Sequence, residues 1–487
     1  MIVSFDSLGS LFDLEHDEQW SGAKMAVTAS ARAELLRAAG LGAGDNVLLV
    51  QAGSGNFFAN LFAVWETGAT VAVLNSALTE EEFGNIEDHL KPRVVLVDGD
   101  GAEATETCKT VVWNFSRNLT PDLGATQLPR DAMMDEPALI LFTSGTTGVP
   151  KGVVHTFRSL LARLALNHAH IGAEDMATTL CTLPVHFGHG LIGNCLTVLL
   201  HGGDLILDKG TDIKAIGKLG DTIDKNGVSF MSSVPAFWRL ALKFSIPPKR
   251  GSLKRVHVGS APMSADLWRK IIEWSGTDNV VNMYGITETA NWVGGASAAE
   301  FEPEDGLVGR VWGGHAAVMA EDGSFRHEGE GELLIQTPSM MSSYFKLPEM
   351  TAQSFLNNWF RTGDLGRIEN GVIVLTGRKK NEINRAGIKV QPEDIDILLE
   401  RHPDVIEACA FGTSDRLAGE AVCVALALEP QHDLKKIKEW CAERLVHEKL
   451  PDKWFVLDEI PKTDRGKVQR DHVAAVCLGQ AGDNKIV

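Results

Sequence analysis

The sequence predicts an α/β fold: a large N-terminal domain of βαβ-type sheets flanked by helices, with a small barrel-like subdomain, then a small α+β C-terminal domain on a hinge. Three observations carry that expectation. Short apolar runs alternate with helical patterns through most of the 487 residues, as parallel sheets with crossover helices require. The runs shorten and become hairpin-like around Glu330 to Ile335 and Gly371 to Leu375. The texture then changes at Gly377-Arg-Lys-Lys-Asn381, a basic polar cluster directly after Val372-Ile-Val-Leu375.

Val47-Leu-Leu-Val50 reads as a strand, Phe57 to Thr67 as a helix, and Thr70 to Leu74 and Arg93 to Val97 as strands. The alternation continues with Leu205-Ile-Leu207, Ser229-Phe-Met231 and Val256-His-Val258. Beyond the basic cluster, strands are expected at Cys409 to Gly412 and Ala421 to Leu428, with a helix over Asp433 to Arg444. The expected domains are 1–379 and 380–487.

Composition narrows the function. Hydrophobic residues make up 44% and charged residues 23% of the chain, which is ordinary for a soluble globular protein. The formal net charge of −18 argues against a general nucleic-acid binder or an anionic membrane surface. Seven cysteines, none in a C-x-x-C pair, imply a reducing compartment without a zinc or disulfide framework. The apolar run from Leu191 to Leu200 is interrupted by Gly193 and Asn194 and is too short to span a bilayer. The first residues lack a basic stretch followed by an apolar one, so a cytoplasmic location is expected.

The most informative segment is Thr143-Ser-Gly-Thr-Thr-Gly-Val-Pro-Lys-Gly152, fed by the apolar run Ala138-Leu-Ile-Leu-Phe142. It holds three glycines, four hydroxyl side chains and a lysine. Backbone N–H groups exposed by glycine, hydroxyl donors and an ammonium suit polyphosphate oxygens. The spacing is not that of the Walker loop, because Gly152 follows the lysine.

Other segments add chemistry. Tyr284-Gly-Ile-Thr-Glu288 offers a ring to stack on a base and a carboxylate for a hard cation. Trp359-Phe-Arg-Thr-Gly-Asp364 offers a carboxylate in a tight turn, suited to a ribose diol. Pro461-Lys-Thr-Asp-Arg-Gly-Lys467 is a second basic loop whose lysine is a movable point charge. Each of these alone reads more readily as a structural or solvated turn.

Taken together, in this order, these segments resemble the adenylate-forming superfamily of acyl- and aryl-CoA synthetases, peptide-synthetase adenylation domains and luciferases. The resemblance covers nearly the whole chain. It includes Gly44-Asp-Asn-Val47, Leu74-Asn-Ser-Ala-Leu-Thr-Glu-Glu81, Gly259-Ser-Ala-Pro262, Gly331-Glu-Leu333, Gly377-Arg378 and Gly387-Ile-Lys-Val-Gln-Pro-Glu393.

The resemblance implies an N-terminal domain that binds ATP and acid and a mobile C-terminal domain that carries a catalytic lysine. Thr143, Ser144, Gly145, Thr146, Thr147, Gly148 and Lys151 would cradle the β- and γ-phosphates. Ser260 and Ala261 would line the adenine and acyl sites, and Asn282 and Tyr284 would contact adenine. Thr287 would face the α-phosphate and Glu288 would hold Mg²⁺. Asp364 and Arg378 would bind ribose. Lys467 would be the catalytic lysine, Lys380 the hinge, and Gly387 the glycine beside a thiol tunnel.

The implied reaction activates a carboxylic acid with MgATP to an acyl-adenylate, then transfers it to a thiol, CoA by default. A carrier-protein phosphopantetheine or an amine is the alternative acceptor. A nucleotide-binding homologue without turnover is the alternative of another class, disfavoured because Lys467, Glu288 and Asp364 are all present. Nothing selects a luciferase-like oxidation, and the family lysine sometimes found at the position of Asn384 is missing.

Leu183-Pro-Val-His-Phe-Gly-His-Gly190 falls where the family gates or lines its acyl pocket. The frequent P-L-F-H order is exchanged here at His186 and Phe187, and the Asp that pairs with an α-ammonium is missing, which disfavours an amino acid. His186 and His189 read either as pocket groups or as satisfied structural histidines. His186, Phe187, Val234, Trp238 and Gly285 are the expected pocket residues, and with Phe230 and Phe237 they favour an apolar acyl or aryl acid. The region before Gly44 is compressed, which bears on the pocket floor or on the surface a homodimer would use.

Overall fold

The computed structural model describes residues 7–98, 111–113, 133–143, 151–208, 213–260, 263–378, 383–390, 392–400, 402–461, 468 and 470–479. The chain forms two compact units. One comprises Met1–Ser76, Leu90–Phe142 and Gly152–Gly377; the other comprises Ala77–His89, Thr143–Lys151 and Arg378–Val487.

The first unit is built on two sheets. In the larger one, six parallel strands lie in the order Val280–Ile286, Arg255–Val258, Phe230–Ser233, Thr178–Cys181, Asp204–Leu207 and Leu11–Asp13. Their apolar runs follow from burial on both faces, as a parallel sheet requires. Met231, Val256 and Val258 pack on one side with Trp238 and Trp268. Phe230, Cys181 and Val281 pack on the other with Leu191 and Ile192.

The sheet then turns antiparallel at Asn291–Ser297. It continues through Leu307–Val311, Val372–Arg378, Trp359–Glu369, Gly329–Gln336 and His315–Met319. These are the short hairpin-like runs of the sequence. Asn370 and Gly371, at φ 50° and 72°, make the turn between Trp359–Glu369 and Val372–Arg378. An Asn-Gly pair adopts that left-handed geometry readily.

The second sheet runs Ser343–Tyr344, Lys151–Thr156, Pro137–Thr143, Thr70–Val73, Asn46–Val50, Val94–Val97 and Val111–Trp113. Helix Gly55–Thr67 covers it. The Ser54 hydroxyl caps its start by accepting from Phe57 N, and Gly68 ends it at φ 84°, a left-handed conformation that favours glycine. Phe57, Phe58 and Phe62 are fully buried and Trp65 nearly so. Trp65 Nε1 donates to the Ala138 carbonyl at 2.8 Å, which ties the helix to the strand that leads into the glycine-hydroxyl loop.

In the second unit, Val405–Asp415 and Gly419–Leu428 form a long hairpin. Ile383–Arg385 and Ile388–Val390 extend its sheet, and Lys453–Val456 pairs parallel to Gly419–Leu428. Helices Pro392–Leu399, Leu434–Ala442 and Arg470–Gly479 belong to it, as does most of Glu80–Leu90. Asp433 caps the middle helix by accepting from Lys435 N and Lys436 N.

Candidate active site

Four connections of the larger sheet meet at one end. Residues 182–190 follow Thr178–Cys181, Val234 follows Phe230–Ser233, Ser260 closely follows Arg255–Val258, and Thr287 and Glu288 follow Val280–Ile286. These strands are parallel neighbours, so all four connections leave from their carboxyl ends. That edge of an open α/β sheet is where ligands bind. A further element is the bulge that carries Asp364 within the antiparallel strand Trp359–Glu369.

The pairing of Val280–Ile286 with Asn291–Ser297 slips at Tyr284/Gly285. A Cβ on Gly285 would lie 2.3 Å from the Asn291 carbonyl oxygen, so only glycine fits the bulge. The bulge redirects the chain into a single turn, Thr287–Thr289, followed by Ala290 and Asn291 at φ 54° and 91°. Such strain needs support from its surroundings. His155 Nε2 lies 2.8 Å from the Thr287 carbonyl and so donates to it. Met341 N donates to the Glu288 carbonyl at 2.7 Å. The Ser339 hydroxyl, itself held by the buried Arg163, donates to the Thr289 carbonyl at 2.9 Å.

The Glu288 side chain is oriented too. Tyr344 donates its hydroxyl to Glu288 Oε1 at 2.6 Å. Burial, and then the carboxylate, push the Tyr344 pKa well up, so it remains a donor. Tyr284 donates to Asp364 Oδ2 at 2.7 Å, and both residues are buried. The Thr362 hydroxyl accepts from Asp364 N at 3.1 Å and donates to the Leu333 carbonyl. Gly363 at φ 74° sits in a bulge of the strand Trp359–Glu369, where the sequence suggests a tight turn. Asn282 is buried and donates Nδ2 to the Leu307 carbonyl at 2.7 Å.

On the expected acid side, the rings of His186 and Phe187 lie 4.2 Å apart at 51°. Burial pushes the His186 imidazole down to about 4. His189 begins a π-helical stretch, His189–Leu196, a conformation that recurs at functional sites. Its two ring nitrogens lie 2.8 Å from Ser260 Oγ and 2.6 Å from Ser232 Oγ. Burial lowers its pKa to about 3, so it is neutral.

Trp238 does not line this edge. It is fully buried on the opposite face of the sheet, where its ring packs 5.2 Å from Trp274. The expected pocket role is corrected to core packing. Its indole demanded a large apolar site, and the helix Pro235–Phe244 turns it inward. The sequence leaves His189 open between pocket and structure and does not mark Ser232: a serine inside an apolar strand gives no signal until a partner is seen.

Ser144, Gly145, Thr146, Thr147, Gly148, Ala261, Lys380 and Lys467 lie outside the described residues, as does the Arg378 side chain. Thr143 and Lys151 bracket the loop, and Thr143 Oγ1 donates to the Lys151 carbonyl at 3.5 Å. No helix among the described residues is long and apolar enough to cross a membrane.

The model of the AMP-binding enzyme family matches residues 8–345, and that of the AMP-binding enzyme C-terminal domain matches residues 394–467. A probable CoA ligase, CCL9, from Humulus lupulus is 30% identical over 93% of this chain and 91% of its own. An oxalate–CoA ligase from Arabidopsis thaliana is 30% identical over 91% and 90%. The fold matches the o-succinylbenzoate CoA synthetase structure from Bacillus subtilis with a TM-score of 0.83 at 23% identity, over 97% and 96% of the two chains. With both family models matched, the chain belongs to the AMP-binding, adenylate-forming enzyme family.

Proposed function

We propose that the protein activates a carboxylic acid with ATP and passes the acyl group to CoA. The observation that carries this reading is the pair of oriented carboxylates beside the strand Val280–Ile286, one just past its end and one bonded to its Tyr284. Glu288 is held by Tyr344, and Asp364 by Tyr284. The CoA ligases among its relatives support the thiol.

A carboxylate is a poor acyl donor because oxide is a poor leaving group. In the proposed first step a substrate carboxylate oxygen bonds to the α-phosphorus of ATP, and the bond to the pyrophosphate oxygen breaks. The product is an acyl-adenylate. Bringing an anion to a polyanion demands positive charge and donors. Lys467, Thr287 and the loop donors from Thr143 to Lys151 are assigned that work. Glu288 fits a hard divalent cation, since it offers a carboxylate oxygen fixed by a neutral phenol. Magnesium bound there with the nucleotide would offset phosphate charge. Asp364, with Arg378, is assigned the ribose hydroxyls.

In the second step the thiol sulfur bonds to the acyl carbon, its proton leaves, and the bond to AMP breaks. We assign Lys380 as the hinge of a mobile C-terminal domain, 380–487, whose rotation withdraws Lys467 between steps.

Exchange of labelled pyrophosphate into ATP, screened over carboxylic acids, tests the first step. Lys467→Ala should reduce exchange by at least a hundredfold while ATP binding, read by calorimetry, survives. Equal exchange in the variant would remove Lys467 from its role. Offering CoA, and separately a phosphopantetheinylated carrier protein, to the preformed adenylate decides the acceptor.

A further inference from the structure

Cys181 and Cys195 meet in the core beside the expected acid side. Cys181 ends the strand Thr178–Cys181, and Cys195 lies in the π-helical stretch His189–Leu196. They are 14 positions apart in the sequence, and their sulfurs lie 3.7 Å from one another. Both are free thiols and both are buried. The chain between them carries His186 and Phe187, two of the expected pocket residues.

The two thiols form a relay that ends on this segment. The Cys195 thiol donates to Cys181 Sγ, and the Cys181 thiol donates to the Leu183 carbonyl at 3.5 Å. Residues 183 and 184 are closely fitted. A Cβ on Gly190 would lie 3.1 Å from the Leu183 carbonyl oxygen and 2.2 Å from that of Pro184. The segment therefore rests directly against the first turn of the π-helical stretch. A change at the thiols acts on both sides of that contact.

Thiols this close need little movement to bond. A disulfide holds its sulfurs about 2.05 Å apart, so each would shift by less than about 1 Å. The hydrogen bond from Cys195 lowers the Cys181 pKa, while burial raises that of Cys195. Cys181 is thus the first to ionise, and the thiolate is the reactive form. Hydrogen peroxide is scarcely larger than water and enters through the local openings that native proteins undergo.

The chemistry balances with a peroxide as the oxidant. The Cys181 thiolate attacks a peroxide oxygen, the O–O bond breaks, and hydroxide leaves a sulfenic acid behind. The Cys195 thiolate attacks that sulfur, and the sulfenic oxygen leaves as a second hydroxide. The two thiol protons convert both hydroxides to water. Two electrons pass from the sulfurs to the peroxide. The Leu183 carbonyl then loses its S–H donor, and the strand end is joined covalently to the π-helical stretch.

We propose that Cys181 and Cys195 are a modification site, which a peroxide closes into a disulfide that disables the acid side and a dithiol reopens. In the reducing compartment that the cysteine usage implies, such a bond is a transient sensor. Its effect on catalysis rests on the adenylation reading above, whereas the bond itself does not.

The test treats the whole reduced chain with hydrogen peroxide under native conditions, blocks the remaining thiols and digests it for mass spectrometry. A peptide linking Cys181 to Cys195 should accumulate and should vanish with dithiothreitol. Pyrophosphate exchange with the best acid of the screen should fall by about fivefold or more as the link forms, the worth of one lost hydrogen bond. It should return with dithiothreitol. Cys195→Ala should keep its exchange and resist peroxide. Cys181→Ser retains a donor for the Leu183 carbonyl and should behave alike, which covers an alanine variant that thermal melting shows to be poorly folded. Absence of the linked peptide overturns the inference. So does unchanged exchange in the linked protein, or a peroxide loss in both variants as large as in the wild type. Exchange with no acid at all overturns the adenylation reading instead. The inference then stands or falls on the linked peptide and on amide hydrogen exchange over residues 182–194, which the link should slow.

Discussion

Tyr344 donates its hydroxyl to Glu288 Oε1 across 2.6 Å, and this contact joins the two sheets of the first unit at the site. Tyr344 lies on the edge strand Ser343–Tyr344, paired with Lys151–Thr156. Glu288 follows the end of Val280–Ile286 in the other sheet. One hydroxyl therefore fixes where the proposed cation ligand stands relative to the strand that leaves the glycine-hydroxyl loop.

Tyr344→Phe keeps the ring and removes that donor. A hydrogen bond to a charged group is worth about 1.5–3 kcal/mol, so the variant should lose roughly ten- to a hundredfold in kcat/KM for ATP. The magnesium concentration needed for half-maximal exchange should rise, because the carboxylate is no longer held. Magnesium titrations of the exchange rate at fixed ATP check this, and an unchanged requirement would refute the orienting role.

Tyr284→Phe removes the partner of Asp364 Oδ2. Asp364 is buried, so its carboxylate loses a donor it cannot replace from water. We expect the KM for ATP to rise about tenfold and thermal stability to fall by about 1–3 kcal/mol. Steady-state kinetics and denaturant titration measure the two effects separately.

Acid should destabilise the fold earlier than carboxylate titration alone would. Burial holds His155 down to about 4, against an unfolded value near 6.5. The unfolded chain therefore takes up a proton that the native one refuses. The stability this histidine supplies is complete above about pH 6.5 and is lost as pH falls toward about 4. The slope approaches 1.4 kcal/mol per pH unit for each such group. Urea midpoints of the wild type and His155→Gln between pH 7 and pH 4.5 should converge as pH falls.

Gly190→Ala should be severely destabilising. A Cβ there would lie 2.2 Å from the Pro184 carbonyl oxygen, and backbone cannot swing aside like a side chain. Overpacking of this kind costs about 1–3 kcal/mol or more. The strain falls on the first turn of His189–Leu196, so acid selectivity should be disturbed as well. Melting temperature and the ratio of rates for paired acids are the measurements.

The sequence by itself determined the alternation of strand and helix, and with it the parallel sheets. Runs such as Val47-Leu-Leu-Val50 are apolar throughout because both faces of such a sheet are covered. It also determined the nucleotide motifs, because glycine, hydroxyl and carboxylate at fixed spacing are local facts: Thr143 to Gly152, Glu288 and Asp364 could be read along the chain. Tertiary structure decided what those residues touch. Tyr344 and Glu288 are 56 residues apart, and Ser232, His189 and Ser260 come from one strand and two separate connections. No local pattern encodes such pairs, since they arise only when separate strands and sheets are packed together. The same cause moved Trp238 out of the pocket. Which face of a strand or helix meets the core is settled by packing, and its indole filled the opposite one.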